Sequence, residues 1–272
     1  MKEPFYGRPR QNQVGDDKAR EIEEIEIRGY TVIPNLISKT DLLSWRQKID
    51  VLYERQECEF GRDALAAIQE LDVCRAPILY EFEFVRLAAH PRILSLVHRF
   101  LGDWFILNLQ NAIINRPEIR HHQSSWHRDI PYHNLTTSRP LAISALLAID
   151  EFCAETGGTH VIPFSHKMEC LPSDSYIKIN RVIVSAPAGS AIIFDAMLFH
   201  GAGFNQSQIV RRAVNHLYTI PIIKQQYDFP RAIGESAHLD PAVARLLGFT
   251  SQVHLDDKAW RFARVKKLQA RV

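Results

Sequence analysis

Beyond Gly102 the chain breaks into short runs rich in Ile, Val, Phe, Leu and Thr, parted by Gly, Pro, Asn and Asp, and this texture limits the fold more than any other feature. Trp104–Asn115, Ser125–Asp129, Leu141–Ile149, Thr159–Ile162, Ser190–Phe194 and Arg211–Ile223 each read as a strand. A parallel α/β sheet would need crossover helices between such runs, and none is visible. Antiparallel strands joined by turns need no helices, so the runs fit a sandwich or a jelly-roll barrel.

The residues before Gly102 have a different period. Residues 1–15, with Pro4, Gly7 and Pro9, read as a mobile arm. Asp16–Arg28 places acidic residues in the first turn of a surface helix, where they match the positive end of its dipole. Tyr30–Pro34 is a short strand; Ser38 and Asp41 form a capping-box pattern ahead of Leu42, Leu43, Trp45, Ile49, Leu52 and Tyr53 at helical spacing. Pro91 and Gly102 bracket a further helix. The reading is one mainly β domain over residues 1–272: a helical flank (16–102), a jelly-roll core (103–225) and a helical C-terminal segment (226–272) containing Ala242–Leu247 and a Lys/Arg-rich end.

Lys plus Arg number 33 and Asp plus Glu 31, a net charge of +2, which is too balanced for a dedicated nucleic-acid binder. No run of about 18 apolar residues suggests a membrane span, and no apolar leader is visible. Cys58, Cys74, Cys153 and Cys170 include no C-x-x-C pair, so reduced, buried thiols and a cytoplasmic location are expected. A small-molecule substrate is the expected partner, with a homodimer open.

Twelve histidines are many for this length, and His is the commonest metal ligand. His127 and Asp129 lie two positions apart, so strand alternation turns both to one face. His200 follows an apolar strand and is flanked by Gly201 and Gly203, where backbone can approach a ligand closely. Two imidazoles and one carboxylate on a barrel wall make a facial triad with open positions opposite. Arg128, between two ligands, should point away from a metal; His121 and His122 read as a solvated loop; His160 and His166 read as structural; His216 could face either side.

Trp126–Asp129, Leu147–Asp150 through Gly157–Lys167, and Ala188–Asp195 through His200–Asn205 to Arg211 resemble the phytanoyl-CoA dioxygenase family of Fe(II)/2-oxoglutarate-dependent oxygenases, over roughly Gly29–Leu247. The resemblance implies a double-stranded β-helix, a cupin-like jelly roll, with Fe(II) held by His127, Asp129 and His200, and with 2-oxoglutarate and O₂ as cosubstrates. It also implies an arginine eleven positions after the second histidine, here Arg211, on the distal carboxylate of 2-oxoglutarate. Arg212 competes for that role, since adjacent strand residues face opposite ways. Two departures stand out: Leu146 where many relatives carry Trp, and Ala202 where many carry Ser. Asn111 or Gln110 are candidates for the missing cosubstrate contacts. Tyr132 and His133 read either as substrate contacts or as packing at the barrel rim.

Retention of Asp129, which halogenating relatives replace by a small residue, implies hydroxylation or another C–H oxidation, with release of succinate and CO₂. The substrate expected is a small biosynthetic or secondary-metabolite intermediate. A non-catalytic metal-binding jelly-roll protein and a cupin-like metal isomerase are the alternatives.

Overall fold

A computed structural model describes residues 19–130, 134–235 and 238–269. Nine strands occur among them: β1 (Tyr30–Ile33), β2 (Val73–Arg75), β3 (Ile106–Asn115), β4 (Ala142–Ala148), β5 (His160–Val161), β6 (Val182–Ile183), β7 (Ala191–Asp195), β8 (His200–Gly201) and β9 (Arg211–Thr219). They form a six-stranded sheet ordered β1-β7-β4-β9-β3-β2 and a three-stranded sheet ordered β6-β5-β8. Every pairing is antiparallel.

The sheets meet through one apolar layer, Val161, Val184 and Leu198 against Ile113, Leu146, Ile192, Phe194 and Ala213. This is the expected jelly roll. Its large sheet has a second covered face, where Ile143, Ala145, Leu147, Ile193, Val214 and Tyr218 pack on Trp45, Ile49, Leu52, Phe84, Ile93 and Leu96 of the helical flank. Burial on both faces explains why β4 reads as an apolar run interrupted only by Ser144 rather than as an alternating one.

The flank's helices start and stop where the sequence indicates. Ser38 accepts the Asp41 N–H at 3.1 Å and caps the Lys39–Phe60 helix. Pro91–Leu101 runs between its proline and Gly102. Leu43, expected on the apolar stripe, is instead solvent-exposed, since Leu42 and Trp45 take the buried side. Polar clamps fix the flank to the sheet: Arg212 reaches both carboxylate oxygens of Asp50 (2.7 and 2.8 Å) and also Asp150 (3.0 Å), which Arg46 pairs at 2.5 Å.

Ser125–Asp129 is not a strand. His127 and His200 make a single antiparallel bridge, with N–H···O distances of 2.9 and 3.0 Å, and Asp129 N–H reaches Ala196 O at 3.0 Å. The partner, β8, is two residues long, so a longer ladder has nothing to pair with. The last expected strand stops at Thr219 rather than Ile223. Of the cysteines only Cys74 is buried; Cys58 and Cys170 are exposed, against expectation, and all four are free. No helix among the described residues is long and apolar enough to cross a membrane.

Candidate active site

Alternation along three strands decides what enters the barrel. On β9, Ala213 and Leu217 pack inside while Val214 and Tyr218 join the helical face, so Arg211 and Asn215 point inward and Arg212 outward. That resolves the two arginines: Arg211 is 2% exposed inside the barrel, whereas Arg212 is consumed by Asp50 and Asp150. On β4, Ser144, Leu146 and Ala148 face inward. On β3, Ile113 lines the interior, and Gln110 points to the opposite side.

Gln110 is therefore withdrawn from the cofactor contacts. Its Oε1 accepts the Ile78 N–H, its Nε2 donates to Phe84 O (both 3.0 Å), and it lies 2.9 Å from His216 Nε2, all within the helical layer. Asn111 faces inward but is held by the Tyr227 hydroxyl at 3.0 Å and, with its amide oxygen turned outward, by Arg75 at 2.9 Å. Asn111 is not among the residues lining the cavity beside the donor triad. Tyr132 and His133 lie outside the described residues.

The structure brings His127, Asp129 and His200 together, with one donor atom from each inside a 4.8 Å span. Both imidazoles are oriented through backbone carbonyls. His127 Nδ1 lies 2.8 Å from Ser125 O and His200 Nδ1 lies 3.0 Å from Leu198 O. A carbonyl can only accept, so each Nδ1 carries the proton and each Nε2 keeps a lone pair for a metal. His200 Nε2 lies 3.6 Å from Asp129 Oδ1, and the Ser144 hydroxyl donates to Asp129 Oδ2. Phe194 sets its ring edge on His200 at 4.8 Å.

The electrostatics favour a cation at this point. Burial alone pushes the Asp129 carboxyl up, but His200, His127 and the Ser144 hydroxyl reverse that and hold it at about 2. Burial, with His200 beside it, depresses His127 to about 4, so it is a neutral ligand at pH 7. Burial pulls the His200 pKa down, and the Asp129 carboxylate together with the Leu198 carbonyl outweighs it, so the pKa is raised. Two neutral-capable imidazoles and one carboxylate on one side of a cavity suit a divalent non-heme iron.

The same cavity is lined by Gln123, Leu146, Thr159, Phe194, Ala202, Arg211 and Asn215. Arg211 makes no ion pair or hydrogen bond among the described residues, and its buried Nε has no acceptor. Its guanidinium stacks on Phe152 at 4.2 Å, and burial lowers its pKa to about 10 against the pull of Asp150. Asn215 Oδ1 is likewise buried without a donor. A buried guanidinium lacking an anion is costly, and a bidentate carboxylate is its best complement.

A match to the profile described as phytanoyl-CoA dioxygenase (PhyH) spans residues 25–213. The chain belongs to the phytanoyl-CoA dioxygenase family. Proteins similar to it include an uncharacterized protein of Mycobacterium tuberculosis, Rv1501, 35% identical over 234 residues that cover 83% of this chain and 84% of that one. The dioxygenase andF of Emericella variicolor is 29% identical over 63% of each chain, and the peroxisomal phytanoyl-CoA dioxygenase of Bos taurus is 24% identical over 70% and 65%. Among solved structures, EctD from S. alaskensis, determined with 2-oxoglutarate and 5-hydroxyectoine, shares the fold at a TM-score of 0.63, with 20% identity and 79% coverage of each chain. The carbocyclase SnoK superposes at 0.60 with 18% identity, covering 78% of this chain and 88% of its own. This phytanoyl-CoA dioxygenase family member is accordingly a 2-oxoglutarate-dependent oxygenase that works with iron and O₂.

Several features of the site lay beyond sequence reasoning. His121, expected in a solvated loop, is buried with its Nδ1 accepting Gln123 N–H at 3.2 Å. Ser144 and Thr159, which line the site, carry no local sequence signal beyond inward parity with Leu146 and proximity to the glycine turn. Arg128 points away from the triad as expected, donating to Met197 O and Glu169 O at 2.9 Å and lying over Phe199. His166 is buried against Glu26 O at 3.3 Å, a structural placement.

Proposed function

We propose that this oxygenase hydroxylates, or otherwise oxidises, a C–H bond of a small biosynthetic or secondary-metabolite intermediate, releasing succinate and CO₂. The observation that carries the reading is the shared cavity: three metal donors at one place and, facing the same space, a buried guanidinium with no hydrogen-bond or ion-pair partner among the described residues. In this reading His127, Asp129 and His200 hold Fe(II), and Arg211 takes the distal carboxylate of 2-oxoglutarate. Iron with the oxoacid and O₂ supplies the oxidising power that breaks the substrate C–H bond.

The protein's own contribution is geometric and electrostatic. Ser125 O and Leu198 O fix the two imidazole tautomers, and the Ser144 hydroxyl fixes the Asp129 carboxylate. Arg211 sets the direction of the oxoacid, while Leu146, Phe194 and Ile113 make a dry wall around it. Asp129 fills the position that chloride needs in halogenating relatives, which supports oxidation. Arg212 and the helical clamp serve the scaffold, with the described helices and barrel working as one domain.

Tyr132 and His133 follow the triad in sequence and are retained as proposed substrate contacts, and a cytoplasmic site of action is part of the same reading. A second reading, redox isomerisation or ring formation on the same machinery, is favoured by similarity to structures described as an epimerase and a carbocyclase. The test is succinate formation from 2-oxoglutarate by Fe(II)-loaded protein, screened over a library of small metabolites. Substrate-stimulated succinate that disappears in His127→Ala supports the reading; undiminished turnover in that variant refutes it.

A further inference from the structure

The Lys/Arg-rich end of the chain takes no part in the site described above and lies beyond the residues that the family profile matches, 25–213. Five Lys or Arg against two Asp give residues 256–269 a charge of +3; the whole chain carries +2, so everything outside this stretch is net −1. The Asp257–Gln269 helix therefore concentrates the positive excess of the protein on one element.

Its side chains fall into rows. Ala259 and Ala263, half-buried, mark the side turned to the rest of the protein. Phe262, Val265 and Leu268 recur every third residue on the side turned away, and each follows a cation by four positions: Lys258, Arg261 and Arg264. Residues four apart are neighbours on a helix surface, so an apolar row and a cationic row run side by side. Phe262 and Leu268 are 73% and 64% exposed. Arg264 lies over the Trp260 ring at 4.3 Å, and the Arg261–Asp257 pair at 3.5 Å is open to solvent, which leaves both guanidinium groups able to meet an anion.

The apolar surface continues past the helix. Val253 and Leu255, 96% and 93% exposed, line with Trp260 and Leu268 a groove of about 980 Å³ between the helix and residues 249–255. Exposed apolar side chains beside a cationic row call for a partner that is both acidic and apolar. A second copy of the chain fails the first condition, since it would bring the same cations face to face. The helix has 13 residues, a rise of about 20 Å, and is too short and too charged to cross a bilayer yet long enough to lie along one. Its two rows require charge and depth rather than a shaped pocket, which is what a lipid surface supplies.

We propose that the Asp257–Gln269 helix docks the protein on an anionic phospholipid surface, with Phe262, Val265 and Leu268 inserted below the headgroups and Lys258, Arg261 and Arg264 among them. The docking is independent of the reaction read at the metal site.

Co-sedimentation of the whole chain with vesicles tests it, using phosphatidylcholine alone against a phosphatidylcholine–phosphatidylserine mixture. Each Lys or Arg near an acidic surface multiplies binding about fivefold, so three of them predict about a hundredfold preference for the mixed vesicles. That preference should vanish in about 1 M salt, where the Debye length is about 3 Å. Lys258→Glu with Arg261→Glu should weaken binding to mixed vesicles at least about twentyfold, and Phe262→Ser with Leu268→Ser about tenfold or more. All four side chains are exposed, so the melting temperature should match wild type in both variants. Trp260 emission, isolated by difference from Trp260→Phe, should shift to the blue on mixed vesicles. No binding to mixed vesicles, equal binding to both kinds, or undiminished binding by both variants overturns the proposal. Two further results overturn it in favour of another occupant: a stable dimer in sedimentation velocity that is lost in Phe262→Ser with Leu268→Ser marks a second copy, and binding of soluble polyglutamate without binding of vesicles marks an acidic protein.

Discussion

Replacing Arg211 by methionine should make the ligand-free protein more stable and the cosubstrate-bound protein less so. The guanidinium is buried, and its pKa is lowered to about 10 because burial opposes the charge. At 1.36 kcal/mol per unit this is a penalty of about 3 kcal/mol on the charged form, which persists at pH 7 because the group stays protonated there. Stacking on Phe152 at 4.2 Å returns about 1–2 kcal/mol. Methionine fills much of the same volume and keeps apolar contact with that ring, so Arg211→Met should gain about 1–2 kcal/mol. At about 2–4 °C per kcal/mol, the melting temperature rises by roughly 2–8 °C. Saturating 2-oxoglutarate reverses the order, since a ligand at about 100 times its Kd adds about 2.7 kcal/mol to wild type and little to the variant. Differential scanning calorimetry of Mn(II)-loaded protein, with and without 2-oxoglutarate, reads both effects. A variant that melts below wild type without ligand, or is stabilised by 2-oxoglutarate as much as wild type, refutes the reasoning.

Three further outcomes are expected. Asp195 is buried, and desolvation lifts its carboxyl from 3.8 to about 6 against the Met197 N–H, Lys167 and Arg128. The folded chain therefore holds that proton more tightly than the unfolded chain, and stability falls by about 3 kcal/mol as pH rises from about 4 to 6. Asp195→Asn should then exceed wild type in urea denaturation at pH 7.5 and match it near pH 4, and an equal difference at both pH values contradicts this. Asp150→Ala takes the shared carboxylate from Arg46 and leaves Arg212 with Asp50 alone, so a loss of about 1–3 kcal/mol is expected by chemical denaturation; no measurable loss would show the clamp to be idle. Ser144→Ala frees Asp129 Oδ2 and should weaken Mn(II) binding about 10–100-fold by calorimetry, with affinity equal to wild type as the contrary result.

The strands that were legible are those whose apolar residues serve both faces of the large sheet. β3, β4 and β9 fall within their expected runs, and β7 overruns its own by one residue at Asp195, because Val, Ile and Leu are dense there. The segment carrying His127 misled, since its extended shape comes from one bridge to β8 and not from a ladder. Gln110 misled for a related reason: polar residues on β3 face both ways, and nothing local says which side holds helices. At the Arg-rich start of β9 the spacing favours Arg211, and the structure separates the two arginines by pairing Arg212 with Asp50 of the helical flank and with Asp150 just beyond β4.

By itself the sequence determined the fold class and the three metal donors. The fold class follows from apolar runs closed by turn residues, and the donors from a His-x-Asp pair and a histidine at a glycine-flanked turn taken together with the family resemblance. The tertiary structure alone decided which neighbours complete the site. Ser144 meets Asp129 and Phe152 supports Arg211, each between segments distant in the chain. Periodicity tells a side chain which face it takes, but only closure of the barrel puts facing side chains within reach of one another.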